Sequence, residues 1–287
     1  MKLIQQSFEI LEQTDFSLIG IKKFIERCGR VCYKSENKIT DDSYEKFVNM
    51  LVKRDHARPL EFGTVHLKMY ISDFHKLRDT LCINNMWNDQ WIKYHYAGNL
   101  TYVTTNYRYY LAIIKVFPSA EKDFAPQDDE LYPKRYTVHF ITSRGIMDEF
   151  RTHIGLSHLA ESSRYCSYDK NRFGNELTFI IPNWVNTNCP NKEQEGPSVA
   201  SIEWSTAMLD AEASYMNLIK MGCTAQEARE VLPLSVKSEL ISCGFEDAWS
   251  NFFYRRCAKD AHPMAREIAT KVRDKFNEFK NETKESK

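Results

Sequence analysis

Four short runs with strand-like alternation, at 63–72 (GTVHLKMYIS), 100–105 (LTYVTT), 135–142 (RYTVHFIT) and 177–181 (LTFII), lie between chain ends whose apolar residues recur at helical spacing. A period of two sends successive side chains to opposite faces of a strand, whereas recurrence every three or four residues makes one apolar stripe on a helix. This order of periods restricts the chain to an α+β fold: a central, mainly antiparallel sheet flanked by helices, with a helical C-terminal half.

The helices can be placed from their stripes and their ends. Phe24, Cys28 and Val31 share one helical face, and Asp42 followed by Glu45 has the spacing of a capping box for a helix through Phe47, Leu51 and Val52. Later, Val199, Ile202, Leu209, Tyr215 and Leu218 keep one face apolar, with Gly222 as the stop. Thr224 and Glu227 form a second capping-box pattern, opening a short helix that carries Arg229 and ends before Pro233. The last helix shows Met264, Ile268, Val272 and Phe276 on one stripe and runs into a polar tail at 278–287. Segments 117–133 and 182–198 combine proline with acidic or polar residues and no period, and read as surface loops or insertions. With no internal repeat and no long flexible linker, a single domain over 1–287 is expected.

Composition removes several classes of function. Of 287 residues, 43% are hydrophobic, enough for a sizeable core, while 39 basic and 39 acidic side chains cancel. No overall field therefore favours nucleic acid or an anionic membrane, and recognition of a phosphate has to come from locally placed arginines. The longest apolar runs, such as 109–114, are too short to span a bilayer, and MKLIQQSFEILEQTDF lacks the apolar core of a signal peptide, so a cytoplasmic protein is expected. The eight cysteines show no CxxC pair. Only Cys28 and Cys32 are helix-face neighbours, which reads as buried reduced thiols, with no metal site expected.

The densest chemistry lies in HLAESSRYCSYDKNRFGNELTFIIP, where Glu161, Ser162, Ser163, Arg164 and Tyr165 are consecutive. If 161–166 is extended, Ser162 and Arg164 share a face and offer a hydroxyl and a guanidinium fork to one oxyanion. An ordinary solvated strand end would carry the same triplet. His153 stands nine residues before Ser162, in RTHIGLSHLAES. This frame resembles the signature of the flavin-dependent thymidylate synthases: Arg-His-Arg, seven residues, Ser, then Arg-Tyr. Further blocks are similar in order and spacing: GRVCYKSENKIT, His56-Ala57-Arg58-Pro59-Leu60-Glu61, TTNYR, SRGIMDEF, QEAREVLPL and WSNFFYRRCAKDAHPMAREIA, together covering about 20–280.

The resemblance implies conversion of dUMP to dTMP, with methylenetetrahydrofolate as carbon donor and FAD, reduced by NADPH, as hydride source. No cysteine nucleophile is implied, and the assembly would be a homotetramer. Ser162, Ser163, Arg164 and Arg229 would hold the phosphate and sugar, and Glu149 and Glu161 would contact substrate. Arg256, in FFYRRC, would set a fixed positive charge beside the pyrimidine, making it and Ser162 the catalytic candidates. His56, Arg58, Glu61, His153 and Asn251 would contact FAD.

Departures from the pattern concentrate on the cofactor side. Thr152 and Ile154 replace both signature arginines, Arg58 and Phe62 replace a Ser and a His of the early motif, and Phe245 stands where an Asn is frequent. Arg151 lies one residue early, a shift that turns a helical side chain by about 100°. Two alternatives stay open: a deoxynucleotide hydroxymethylase on the same scaffold, and a catalytically silent paralogue that binds nucleotide or supports an oligomer.

Overall fold

A computed structural model of the chain describes residues 1–162, 176–185 and 198–285, with side chains described through 278. In chain order its elements are β1 (Lys2–Ile4), β2 (Ser7–Leu11), α1 (Leu18–Tyr33), α2 (Ser43–Lys53), β3 (Thr64–Tyr70), α3 (Ile71–Ile83), β4 (Ile92–Ala97), β5 (Leu100–Asn106) and α4 (Tyr107–Val116). There follow β6 (Arg135–Ser143), α5 (Arg144–Arg151), β7 (Ser157–Ala160), β8 (Thr178–Ile180), α6 (Val199–Lys220), α7 (Ala225–Ala228), β9 (Lys237–Phe245), α8 (Glu246–Arg256) and α9 (Pro263–Glu285). The class is the α+β arrangement expected, although its strands divide among sheets. Among the described residues, β2-β6-β9-β7 and β3-β5-β4 are antiparallel sheets, and β1 pairs with β8 in parallel.

The four-stranded sheet is the middle of three layers. Alternation sends Leu11, Leu159, Ile241 and Cys243 to one face, where they meet Phe24, Cys28, Val31 and Cys32 of α1. Val138, Phe140 and Leu240 point the other way, into Ile146 and Phe150 of α5, Trp249 and Phe252 of α8, and Ile268, Val272 and Phe276 of α9. Burial pushes the Cys32 thiol up to about 12, and that of Cys28 well above its ordinary value, so both remain protonated packing groups. The three-stranded sheet has its own core, in which Val65, Leu67 and Val103 pack with Phe74, Leu77, Tyr110 and Ile113. Gly63 lets α1 approach the start of β3: a Cβ there would lie 2.7 Å from the Ile21 side chain.

Four strands pass into helices without an intervening loop: β3 into α3, β5 into α4, β6 into α5 and β9 into α8. In both antiparallel pairs, β3/β5 and β6/β9, the last residue of each strand opposes the first of the other, as in Thr64↔Asn106 with Tyr70↔Leu100, and Arg135↔Phe245 with Ser143↔Lys237. The backbone thus uses one device twice where the sequence shows no repeat. A strand–helix junction constrains period and capping, and leaves residue identity free.

Two local expectations need correcting. Asp42 and Glu45 do not form a capping box; the Asp42 carboxylate accepts from the Thr40 hydroxyl at 2.8 Å instead. The segment 117–133 is also more than a surface loop, because Ala120 and Tyr132 are buried and Phe124 bridges to Leu67. The second capping box, Thr224 with Glu227, forms as read, and Gly222 ends α6 with φ 95°. Among the described residues no helix is long and apolar enough to cross a membrane.

Candidate active site

On the α1 face of the sheet the apolar alternation stops where α1 ends, and charges replace it. Lys237 and Glu239 follow Ile241 toward the start of β9 on the same face, and Glu161, just past β7, is held beside them by its N–H donating to the Glu239 carbonyl at 2.8 Å. Lys237 donates to Glu161 at 3.1 Å and also to Glu239, while His139 Nε2 donates to the second Glu239 oxygen at 2.9 Å. Lys34, the left-handed C-cap of α1, reaches Glu239 as well. Burial by itself raises the Glu239 carboxyl, but the His139 hydrogen bond and the Lys237 and Lys34 charges outweigh it and hold the group below the usual range. Burial likewise opposes charge on Lys237, and the two glutamates more than offset it.

This cluster forms one wall of a cavity of about 200 Å³ lined by Glu161, Lys237, Arg144, Arg229, Val236 and Ser238, among others. Arg144 opens α5, its N–H anchored on the Val236 carbonyl at 2.9 Å and its guanidinium on Asp148 at 3.1 Å. Arg229 enters from the turn after α7, with a contact to exposed Glu230 at 3.4 Å. Two arginines beside a carboxylate suit a ligand that carries both an oxyanion and a hydrogen-bond donor.

A second group lies where the C-terminal ends of α5 and α8 meet. Arg256 Nη2 donates to the Glu149 carbonyl at 2.6 Å and Nη1 to its carboxylate at 3.3 Å. His153 sits edge-on to Phe252, with ring centroids 5.3 Å apart. Burial, then the Arg256 charge, lowers its pKa. His153 Nε2 and Arg256 Nε are both buried without a partner among the described residues. His158 supports this corner from the sheet: Nε2 donates to the His153 carbonyl at 3.1 Å, so Nδ1 accepts from the Ser242 hydroxyl at 2.9 Å.

The early motif lies at the α1 end. His56 is exposed, 3.5 Å from the Tyr33 hydroxyl, and Arg58 is exposed in the turn Arg58–Phe62. Glu61 is buried, and both of its oxygens are engaged at 2.5 Å, by Arg108 and by the Ser157 hydroxyl. Ser162 joins this region to the cavity wall, its N–H donating to the Cys32 carbonyl at 3.4 Å. Ser163 and Arg164 lie outside the described residues. Asn251 is exposed on α8 and accepts from Arg255 at 3.2 Å.

The structure therefore brings Glu161 together with Arg229, and Glu149 with His153 and Arg256. Glu61 is turned inward, and Arg256 does not line the cavity that holds Arg229. Arg151 is half exposed, and its guanidinium pairs with Asp148 at 3.0 Å. Phe245 is buried at the head of α8, beneath the Arg135 and Lys93 cations. Arg144, Lys237, Glu239, His139 and Lys34 were missed by motif reading. The one available signal was the alternation of Lys237 and Glu239, in a segment not recognised as a strand.

A family profile described as thymidylate synthase complementing protein matches residues 134–279, just over half of the chain. The chain belongs to the thymidylate synthase complementing protein family. It is a methyltransferase-type enzyme, as membership implies. The matched segment starts just ahead of β6 and takes in the four-stranded sheet's core, the cavity and the Arg256 corner, leaving the β3-β5-β4 sheet and the early motif outside it. No curated protein matches the chain. Among solved structures the chain is similar to a UMP/dUMP methylase, PolB from Streptomyces cacaoi, bound with 5-Br UMP: 13% identity, covering 97% of this chain and 92% of that one, with a TM-score of 0.45.

Proposed function

We propose that the protein is a flavin-dependent thymidylate synthase that methylates dUMP to dTMP, using methylenetetrahydrofolate as carbon donor and FAD, reduced by NADPH, as hydride source. The observation that carries this reading is the cavity in which Arg144, Arg229 and Lys237 surround Glu161, in a chain whose family acts in thymidylate synthesis. Arg229 and Arg144 bind the phosphate, assisted by Ser162 and, from the adjoining segment, Ser163 and Arg164. Glu161 accepts from the sugar.

The Arg256 corner suits a flavin against a pyrimidine. A bare ring nitrogen on His153 and a bare donor on Arg256 match a heterocycle edge that presents both donors and acceptors. His56 and Arg58 have exposed polar groups for the remainder of the cofactor, and Asn251 offers a third. Bound there, the flavin supplies the hydride. Arg256, fixed on the end of α5 beside Glu149, stabilises negative charge developing on the pyrimidine oxygen without having to reorganise. Neutral His153 shares a hydrogen bond with the ring it faces and orients it. Glu61 acts indirectly, by holding the turn that presents His56 and Arg58.

The purified protein decides the matter. A flavin spectrum that bleaches with NADPH, and dUMP converted to a product of dTMP mass, are expected. A hydroxymethyl product instead identifies the hydroxymethylase reading, and colourless protein that binds dUMP without turnover the silent paralogue, which the exposed Ile154 in place of a signature arginine favours. A single domain over 1–287 that assembles as a cytoplasmic homotetramer, with no nucleic-acid or membrane partner, completes the proposal, and the mass in solution tests the assembly.

A further inference from the structure

Glu161 is 4% exposed and its two oxygens are treated differently. Oε2 is held by Lys237 at 3.1 Å, with Lys34 more distant at 4.0 Å. Oε1 has no hydrogen-bond partner among the described residues, although the side chain lines the cavity. A buried carboxylate oxygen without a donor is costly, and an ionised carboxylate can only accept. A ligand entering the cavity can supply that donor.

The charges behind Glu161 explain how this orientation is kept. Glu239 is served by His139 and Lys34, so Lys237 can bridge from it to Glu161 without leaving either carboxylate bare. The backbone bond from Glu161 to Glu239 prevents the acid from swinging away as a unit. With Arg144 and Arg229 lining the same small cavity and suited to the oxyanion, the donor within reach of Oε1 is a hydroxyl of the sugar that carries it.

We propose that Lys237 is a positioning residue that grips one oxygen of Glu161 and thereby aims the other at a sugar hydroxyl of the bound nucleotide. This rests on the nucleotide reading above, and adds that hydroxyl selectivity is set by a lysine that need not touch the ligand.

The test is calorimetric titration of wild type, K237M and K237R with dUMP and with 2′,3′-dideoxyuridine 5′-monophosphate, which lacks the sugar hydroxyl. Wild type is expected to prefer dUMP by about 10- to 100-fold, the range of one hydrogen bond to a charged group. K237M should lose that preference, weakening dUMP by about 10- to 100-fold more than the dideoxy nucleotide, and K237R should restore most of it. A K237M protein with undiminished preference overturns the proposal. So does one weakened equally toward both nucleotides, the result of a lysine that acts on phosphate or on stability alone. If wild type binds neither nucleotide, the nucleotide reading falls by itself, and a crystal structure of K237M then decides on Lys237: a displaced Glu161 carboxylate supports the positioning role and an unmoved one refutes it.

Discussion

Arg256 holds the end of α5 through Glu149 at two points, the main-chain oxygen at 2.6 Å and the carboxylate at 3.3 Å. The same carbonyl also accepts from the Thr152 hydroxyl at 2.9 Å. A helix C-terminus carries partial negative charge and unsatisfied carbonyls, so the guanidinium is favoured there and its plane is fixed before any ligand binds. A lysine keeps the charge and loses the fork. Arg256→Ala is expected to slow dTMP formation by about 100-fold or more, and Arg256→Lys by about tenfold. Steady-state rates with melting curves check this, and full activity in Arg256→Ala removes the role assigned to the residue.

Glu61 leads to a different expectation. Arg108 and Ser157 occupy both of its oxygens inside the protein, so its removal strips a partner from α4 and from β7 at once. Breaking a buried ion pair costs about 3–5 kcal/mol; with Arg108 half exposed, the lower end applies. Glu61→Ala should lower the melting temperature by about 10 °C. Glu61→Gln should weaken flavin binding no more than its stability loss explains, and a large loss of flavin affinity in a protein of unchanged melting temperature would show direct contact instead.

Ile154 is 87% exposed where the family signature carries an arginine. A guanidinium placed there enters solvent at a cost within about 0.5 kcal/mol. Ile154→Arg should therefore fold normally and, if that charge reaches the cofactor, tighten FAD binding by about tenfold, the effect of one charge-assisted bond. Fluorescence titration measures this directly, and unchanged affinity would mean that the chain holds its cofactor by other groups.

What could be read in the sequence depended on local pattern. The strands at 64–70, 100–106, 135–143 and 178–180 were legible from alternation, and Thr224 with Glu227 from capping chemistry. The strand at 237–245 was not: it is buried on both faces, and its Ser238, Ser242 and Gly244 fit close packing and a bond to His158 without advertising a strand. The site divided in the same way. Arg229, Glu161, His153 and Arg256 stood at recognisable spacings. Lys237, Arg144 and Lys34 entered only because pairing of β7 and β6 with β9, and the turn ending α1, placed their charges together. Nor could spacing show that Glu61 faces inward, because its partners are 47 and 96 residues away.

Acid should destabilise the protein well before its carboxylates titrate. His66 is stacked between Phe16 and Tyr132 and donates to the Gln127 carbonyl, and His158 bridges Ser242 and the His153 carbonyl. Burial lowers both from 6.5 to about 4. As pH falls below 6.5 the unfolded chain takes up protons that the folded protein refuses, so the stability present above 6.5 is lost progressively down to about 4, by roughly 3 kcal/mol for each histidine. Glu239, depressed from 4.5, adds its own loss only below that value. The melting temperature should thus fall by about 10 °C or more between pH 6.5 and 4.5. His66→Phe keeps a ring in the stack and removes one titration, and should roughly halve the slope; calorimetric melting at half-unit pH steps checks it, and an unchanged slope would mean that His66 does not titrate as its burial requires.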